Sequence, residues 1–123
     1  MHIPDGFINA QTSLATGAVA VGGVGVSLRR AAQTLQDRQA PLAGLVAAYI
    51  FAVQMLNFPV AAGTSGHLLG GVLAAVLVGP WAGCICVAVV LVVQSLLFAD
   101  GGITALGTNI LLISIIPGWM SVA

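Results

Sequence analysis

Lysine is absent from this chain, and three arginines balance three acids to give no net charge. Charged residues make up only 5% of its 123 residues, whereas soluble domains carry about 25%. That poverty excludes a basic footprint for nucleic acid. The two cysteines, Cys84 and Cys86, sit inside an apolar run, and their i, i+2 spacing points them to different sides of a helix. That is poor geometry for a shared metal or a disulfide, and they read as small membrane-buried hydrophobes. There is no Gly-x4-Gly-Lys-[Ser/Thr] loop for a nucleotide and no His-Glu-x-x-His pair for a metallohydrolase. A basic n-region followed by an apolar run and a small-residue cleavage site is also missing, so Met1 is expected to be retained with a free amine. The bulk of His2 points the same way.

What remains is 59% hydrophobic, with a mean hydropathy of +1.12. Such a composition belongs in lipid. No repeat and no linker divides the chain, so residues 1–123 read as one membrane-embedded domain. The fold class expected is all-α, a polytopic transmembrane bundle of about five segments.

Segment one spans residues 12–28 and ends at Arg29-Arg30, with Gly17, Ala18, Gly22 and Gly25 as a close-packing face. All three arginines lie between Arg29 and Gln39, a polar stretch read as one loop that closes at Pro41. By the positive-inside rule this loop is cytoplasmic and the N-terminus extracytoplasmic. Segment two, residues 42–62, carries Gln54 and Asn57 three apart on one expected helix face. Polar amides there either hold helices together or line a path. Segment three, residues 67–79, spans roughly 20 Å and is too short to cross a hydrocarbon core of ~30 Å. Gly79-Pro80 breaks the chain, segment four covers residues 81–99, and Asp100-Gly101-Gly102 turns it. Segment five starts near Ile103 and is expected to be interrupted at Pro117-Gly118.

The polar N-terminus, Met1-His2-Ile3-Pro4-Asp5-Gly6-Phe7, stands apart from this background. A histidine at position two sets three nitrogens in one short arc: the α-amine of Met1, the His2 amide and the His2 Nδ1. They close a five- and a six-membered chelate ring around one ion, in a plane that suits Ni2+, Cu2+ or Co2+ better than tetrahedral zinc. Metal binding would complete deprotonation of an amine whose pKa lies near about 8. The other histidine, His67, falls on the same side of the membrane as His2 and is the candidate for the fourth corner. The Ile3-Pro4-Asp5-Gly6 sequence favours a turn that folds the N-terminal loop back over the bundle, with Asp5 stabilising it.

Met1 to Phe7, Asn57-Phe58-Pro59-Val60, residues 63–71 reading Gly-Thr-Ser-Gly-His-Leu-Leu-Gly-Gly, Gly79-Pro80-Trp81 and residues 100–107 reading Asp-Gly-Gly-Ile-Thr-Ala-Leu-Gly together resemble the CbiM/NikM family. These are substrate-capture membrane components of cobalt and nickel energy-coupling-factor transporters. The motifs occur in the expected order. The resemblance implies a metal site at the Met1 amine, the His2 amide, the His2 ring and His67. It also implies partners: a transmembrane coupling subunit, ATP-binding subunits and a small accessory membrane subunit, in the cytoplasmic membrane of a prokaryote. Members are longer, so at least one membrane helix is expected to be missing here. Where the family continues Val-Phe-Asn-Met-Gly after Asn109, this chain reads Ile110-Leu111-Leu112-Ile113-Ser114.

Three functions compete. The first is capture of Co2+ or Ni2+ for ATP-driven uptake, with ATP hydrolysed by partners and Cu2+ chemically possible by the Irving–Williams order. The second is a small metal-binding accessory subunit of another membrane complex. The third, an enzyme, is disfavoured because four nitrogens leave no in-plane position for an activated water. Gln54, Asn57, Thr64 and Ser65 are the candidate supporting or pathway residues around His67.

Overall fold

A computed structural model of the chain describes residues 2–35, 37–61 and 64–121, and the side chains of Arg38, Thr64 and Ser65 fall outside that description. Helix α1 (Ala10–Thr34) opens at Asn9, whose Oδ1 accepts the backbone N–H of Thr12 at 2.8 Å, satisfying one donor of the first turn. Its 25 residues rise about 38 Å. Only Ala20, Gly23, Ser27 and Ala31 are buried along it, a single stripe at helical spacing. Leu14, Val19, Val21, Val26 and Leu28 lie exposed around the remainder. A helix that is apolar on its outer faces suits lipid rather than water.

Arg29 and Arg30 lie inside α1, because the helix continues to Thr34; the expected loop is confined to the short stretch before α2 (Ala40–Gln54). Of that stretch, Asp37–Gln39 forms a single 3-10 turn. Helix α2 stops at Gln54, so Asn57 does not share a helix face with it. The chain then enters an antiparallel ribbon, β1 (Phe58–Ala61) with β2 (Thr64–Gly66), pairing Phe58 with Gly66 and Pro59 with Ser65. Proline at 59 explains the change: it lacks an N–H and drives the residue before it into extended geometry. The chain is mostly helical, as expected, and this short ribbon is the departure from an all-α fold among the described residues.

Helix α3 (Gly71–Val78) is shorter than expected, with His67 four residues before it in an irregular connection. Gly79, at φ 94°, reverses the chain directly into α4 (Pro80–Leu97), with Pro80 in the first turn. The α3–α4 pair touches backbone to backbone: a Cβ on Gly83 would stand 2.6 Å from Ala75 N and 2.7 Å from Ala74 C. Helix α4 is the centre of the bundle, with ten buried residues. Of the helices, α1 and α4 are long and apolar enough to cross a bilayer, and α2 and the last helix are shorter apolar helices.

That last helix, α5 (Leu106–Met120), begins three residues later than Ile103 and runs through Pro117 without a break. Its middle, Ile110–Ile115, is π-helical. Pro117 has no N–H for the carbonyl of Ile113, four residues back, and the widened turn absorbs the mismatch. The Ile113 carbonyl instead lies against Gly71, where a Cβ would collide with it. Ser114 Oγ donates to the Cys84 carbonyl at 2.6 Å, tying α5 to α4. Both cysteines are free thiols and buried.

The bundle has two chemically different ends. At one, Arg30 lies over the Trp81 ring at 5.5 Å, Trp81 meets Trp119 edge-on at 5.6 Å, and Trp119 Nε1 donates to Ser27 Oγ at 3.0 Å. At the other lie the N-terminal segment, the end of α2, the start of α3 and the α4–α5 turn.

Candidate metal centre

The N-terminal segment is held on the α4–α5 turn by backbone and amide contacts. Asn109, in the first turn of α5, grips Ile3 twice: the Ile3 N–H donates to Asn109 Oδ1 at 3.0 Å, and Asn109 Nδ2 donates to the Ile3 carbonyl at 3.1 Å. That carbonyl also accepts the N–H of Gly102 at 2.9 Å. Gly102 is small for a reason, because a Cβ there would lie 2.6 Å from Asp5 Oδ1 and 2.7 Å from the Pro4 carbonyl carbon. The chain then turns at Asp5–Gly6, with Gly6 at φ 87°. Asp5 Oδ1 accepts both the hydroxyl of Thr104 at 2.5 Å and its N–H at 2.8 Å. Those bonds, the hydroxyl's first, hold the Asp5 carboxyl below the ordinary range, so it stays ionised.

Docking of this segment buries His2 to 6% exposure. Its Nε2 lies 2.6 Å from Oε1 of Gln94, itself fully buried on α4. A carbonyl oxygen only accepts, so Nε2 carries the proton and Nδ1 carries the lone pair. Nδ1 is buried and has no hydrogen-bond partner, an arrangement that costs stability unless something else occupies the lone pair. Burial is the main cause that pulls the His2 pKa below its ordinary value, against the opposing Gln94 bond and Asp100 carboxylate. The ring is therefore neutral near pH 7 and competent as a ligand.

His67 arrives from the β2–α3 connection, its ring edge-on to His2 with centroids 4.9 Å apart. Its Nδ1 donates to the Leu68 carbonyl at 2.8 Å, which places the lone pair on Nε2. Gln54, fully buried at the end of α2, donates through Nε2 to the Leu69 carbonyl and so fixes the segment that carries His67. Asn57 is exposed between α2 and β1, with Nδ2 donating to the Met55 carbonyl. Met1 and the side chains of Thr64 and Ser65 lie outside the described residues.

The structure thus brings His2, His67 and Gln54 to one end of the bundle. Sequence reasoning missed Gln94 and Asn109 as supports of the site. Their signal was available: both are amides in apolar helical runs, the same pattern that singled out Gln54. Among the described residues no three His, Cys, Asp or Glu side chains gather as a ligand set.

A family model described as cobalt uptake substrate-specific transmembrane region matches residues 2–123. The fused nickel transport protein NikMN of Rhodobacter capsulatus is 41% identical over 100% of this chain and 35% of its own length. The cobalt transport protein CbiM of Sorangium cellulosum is 38% identical over 89% of this chain and 50% of its own. The crystal structure of a truncated transition metal transporter superposes with a TM-score of 0.86 at 36% identity, covering 95% of this chain and 55% of that one. The chain spans about half or less of the length of these relatives.

Proposed function

This chain belongs to the family of cobalt uptake substrate-specific transmembrane regions, and from that premise we propose that it captures Co2+ or Ni2+ as cargo for transport across a prokaryotic inner membrane. The ion sits in a plane of four nitrogens: the Met1 amine, the His2 amide, His2 Nδ1 and His67 Nε2. The observation that carries this reading is the buried His2 ring, held by Gln94 so that its partnerless Nδ1 offers a lone pair beside His67. At metal–nitrogen bonds of about 2 Å, a centroid separation of 4.9 Å suits two imidazoles in adjacent corners of one ion. Release depends on energy from elsewhere. A coupling membrane subunit, ATP-binding subunits and a small accessory membrane subunit are the partners this reading requires.

Gln94 gives the test. Gln94→Leu removes the acceptor that sets the His2 tautomer and is expected to weaken Ni2+ or Co2+ retention by about 10- to 100-fold. Gln94→Glu keeps an acceptor and should restore most of it. Undiminished affinity in Gln94→Leu, measured by titration of purified protein, would show that the amide only packs α4 against the N-terminus.

In this reading the histidine end faces outward and the arginine end inward. The cationic residues and the Trp81–Trp119 pair suit a cytoplasmic interface. A cysteine introduced as Gln36→Cys should react with an impermeant thiol reagent only after the membrane is opened. Labelling of intact cells would reverse the orientation.

A further inference from the structure

Beside His2 lies a cavity of about 390 Å3, lined by His2, Pro4, Asp5, Ser95, Asp100 and Gly101 among others. Its burial is graded. Asp5, Ala99 and Ile103 are exposed at the mouth, Asp100 is half-buried, and His2 and Ser95 are buried at 6% and 5% exposure. The chain has three acids, Asp5, Asp37 and Asp100, and two of them line this one space. The arginines are Arg29, Arg30 and Arg38, and Arg29 lies nineteen residues along α1 from Ala10, about 29 Å of helix. Two carboxylates therefore gather at the end of the bundle opposite Arg29 and Arg30. The second observation is independent of charge: the cavity ends on His2, whose Nδ1 is buried and partnerless.

Given the proposed capture site, on which this rests, we infer that the cavity is an antechamber that collects the hydrated divalent cation before it loses water to the nitrogen plane. Six waters at about 30 Å3 each fill roughly 180 Å3, so a fully hydrated ion fits within the cavity's volume. Asp5 and Asp100 have the chemistry to bind such an ion through its water shell, as hard oxygen donors that attract it without demanding a geometry. Asp5 stays ionised through its Thr104 bonds. The inner site then selects: nitrogen donors in a plane favour nickel and cobalt over magnesium and calcium, which keep oxygen ligands. Attraction and selection are thereby divided between neighbouring spaces.

The test is the rate of Ni2+ association with the purified chain in nanodiscs, followed by stopped flow. A charged, low-dielectric cleft raises on-rates at low ionic strength, and salt removes the gain. Asp100→Asn should slow association about fivefold at low salt and flatten its salt dependence, with dissociation unchanged within about twofold. Asp100→Glu should restore the rate, and Asp37→Asn, at the arginine end, should match the parent. A parent rate that ignores salt would overturn the antechamber, and so would a loss in Asp100→Asn confined to dissociation. Failure of the capture site itself reads differently: His2→Ala would then bind Ni2+ as the parent does, whatever Asp100→Asn shows.

Discussion

Extending the chain by two glycines before Met1 is expected to lower Ni2+ affinity by about 10²- to 10⁴-fold with every native side chain in place. The amine, amide and imidazole nitrogens hold one ion because the backbone links them, so each donor after the first binds at a high effective concentration. Moving the amine two residues away opens the five-membered ring that it closes with the His2 amide, and leaves only the six-membered ring within the histidine itself. The extension is two residues because one would set the histidine at position three, where an amine, two amides and the ring can chelate on their own. Acetylating the native amine is the smaller change and should act in the same direction, since it removes the donor and adds no residue. A site built only from the His2 and His67 rings would keep its metal in both proteins, as measured by metal content after purification. Retention there would leave a conventional two-imidazole site.

Replacing the histidines one at a time should give unequal losses. His2→Ala removes the ring that closes the six-membered chelate and also empties the pocket against Gln94. Metal content should fall to background. His67→Ala leaves the three linked nitrogens and lets water take the fourth corner, so affinity should fall by roughly 100-fold while some binding persists. The spin state separates the cases. Four in-plane nitrogens give low-spin, diamagnetic Ni2+, and substituting water weakens the ligand field toward paramagnetism. Equal affinity and an unchanged spectrum in His67→Ala would remove His67 from the site, whatever its 4.9 Å approach to His2.

Much of the organisation was legible in the chain itself. Composition placed it in lipid, and the breaks at Gly79-Pro80 and Asp100-Gly101-Gly102 are where α3, α4 and α5 are divided. Other boundaries were not legible because neighbouring groups decide them. Arg29 and Arg30 looked like the end of a segment, yet a long side chain can lie along a helix that goes on, as Arg30 does over Trp81. Pro117 looked like a stop, but α5 keeps its course by widening into a π-helical turn while its Ile113 carbonyl meets Gly71. The run from Gln54 to Pro59 looked like continuous helix. The constraint that proline places on its neighbour was present there and was outweighed by hydropathy.

The sequence by itself carries the proposed donor chemistry at His2, because the rings of that chelate join nitrogens only three or four bonds apart and need no fold to form. It also determined that polar groups within the apolar segments would need partners, since lipid supplies none. Only the tertiary structure decided which partners. Gln94 and His2 are separated by 92 residues, and Asn109 and Ile3 by 106. No periodicity or spacing connects such pairs; they meet because Gly101 and Gly102 leave room for the N-terminal segment against the α4–α5 turn. The chelate ring itself calls for Nδ1; what is tertiary is the tautomer, set by one buried carbonyl oxygen that the packing of α4 puts beside Nε2.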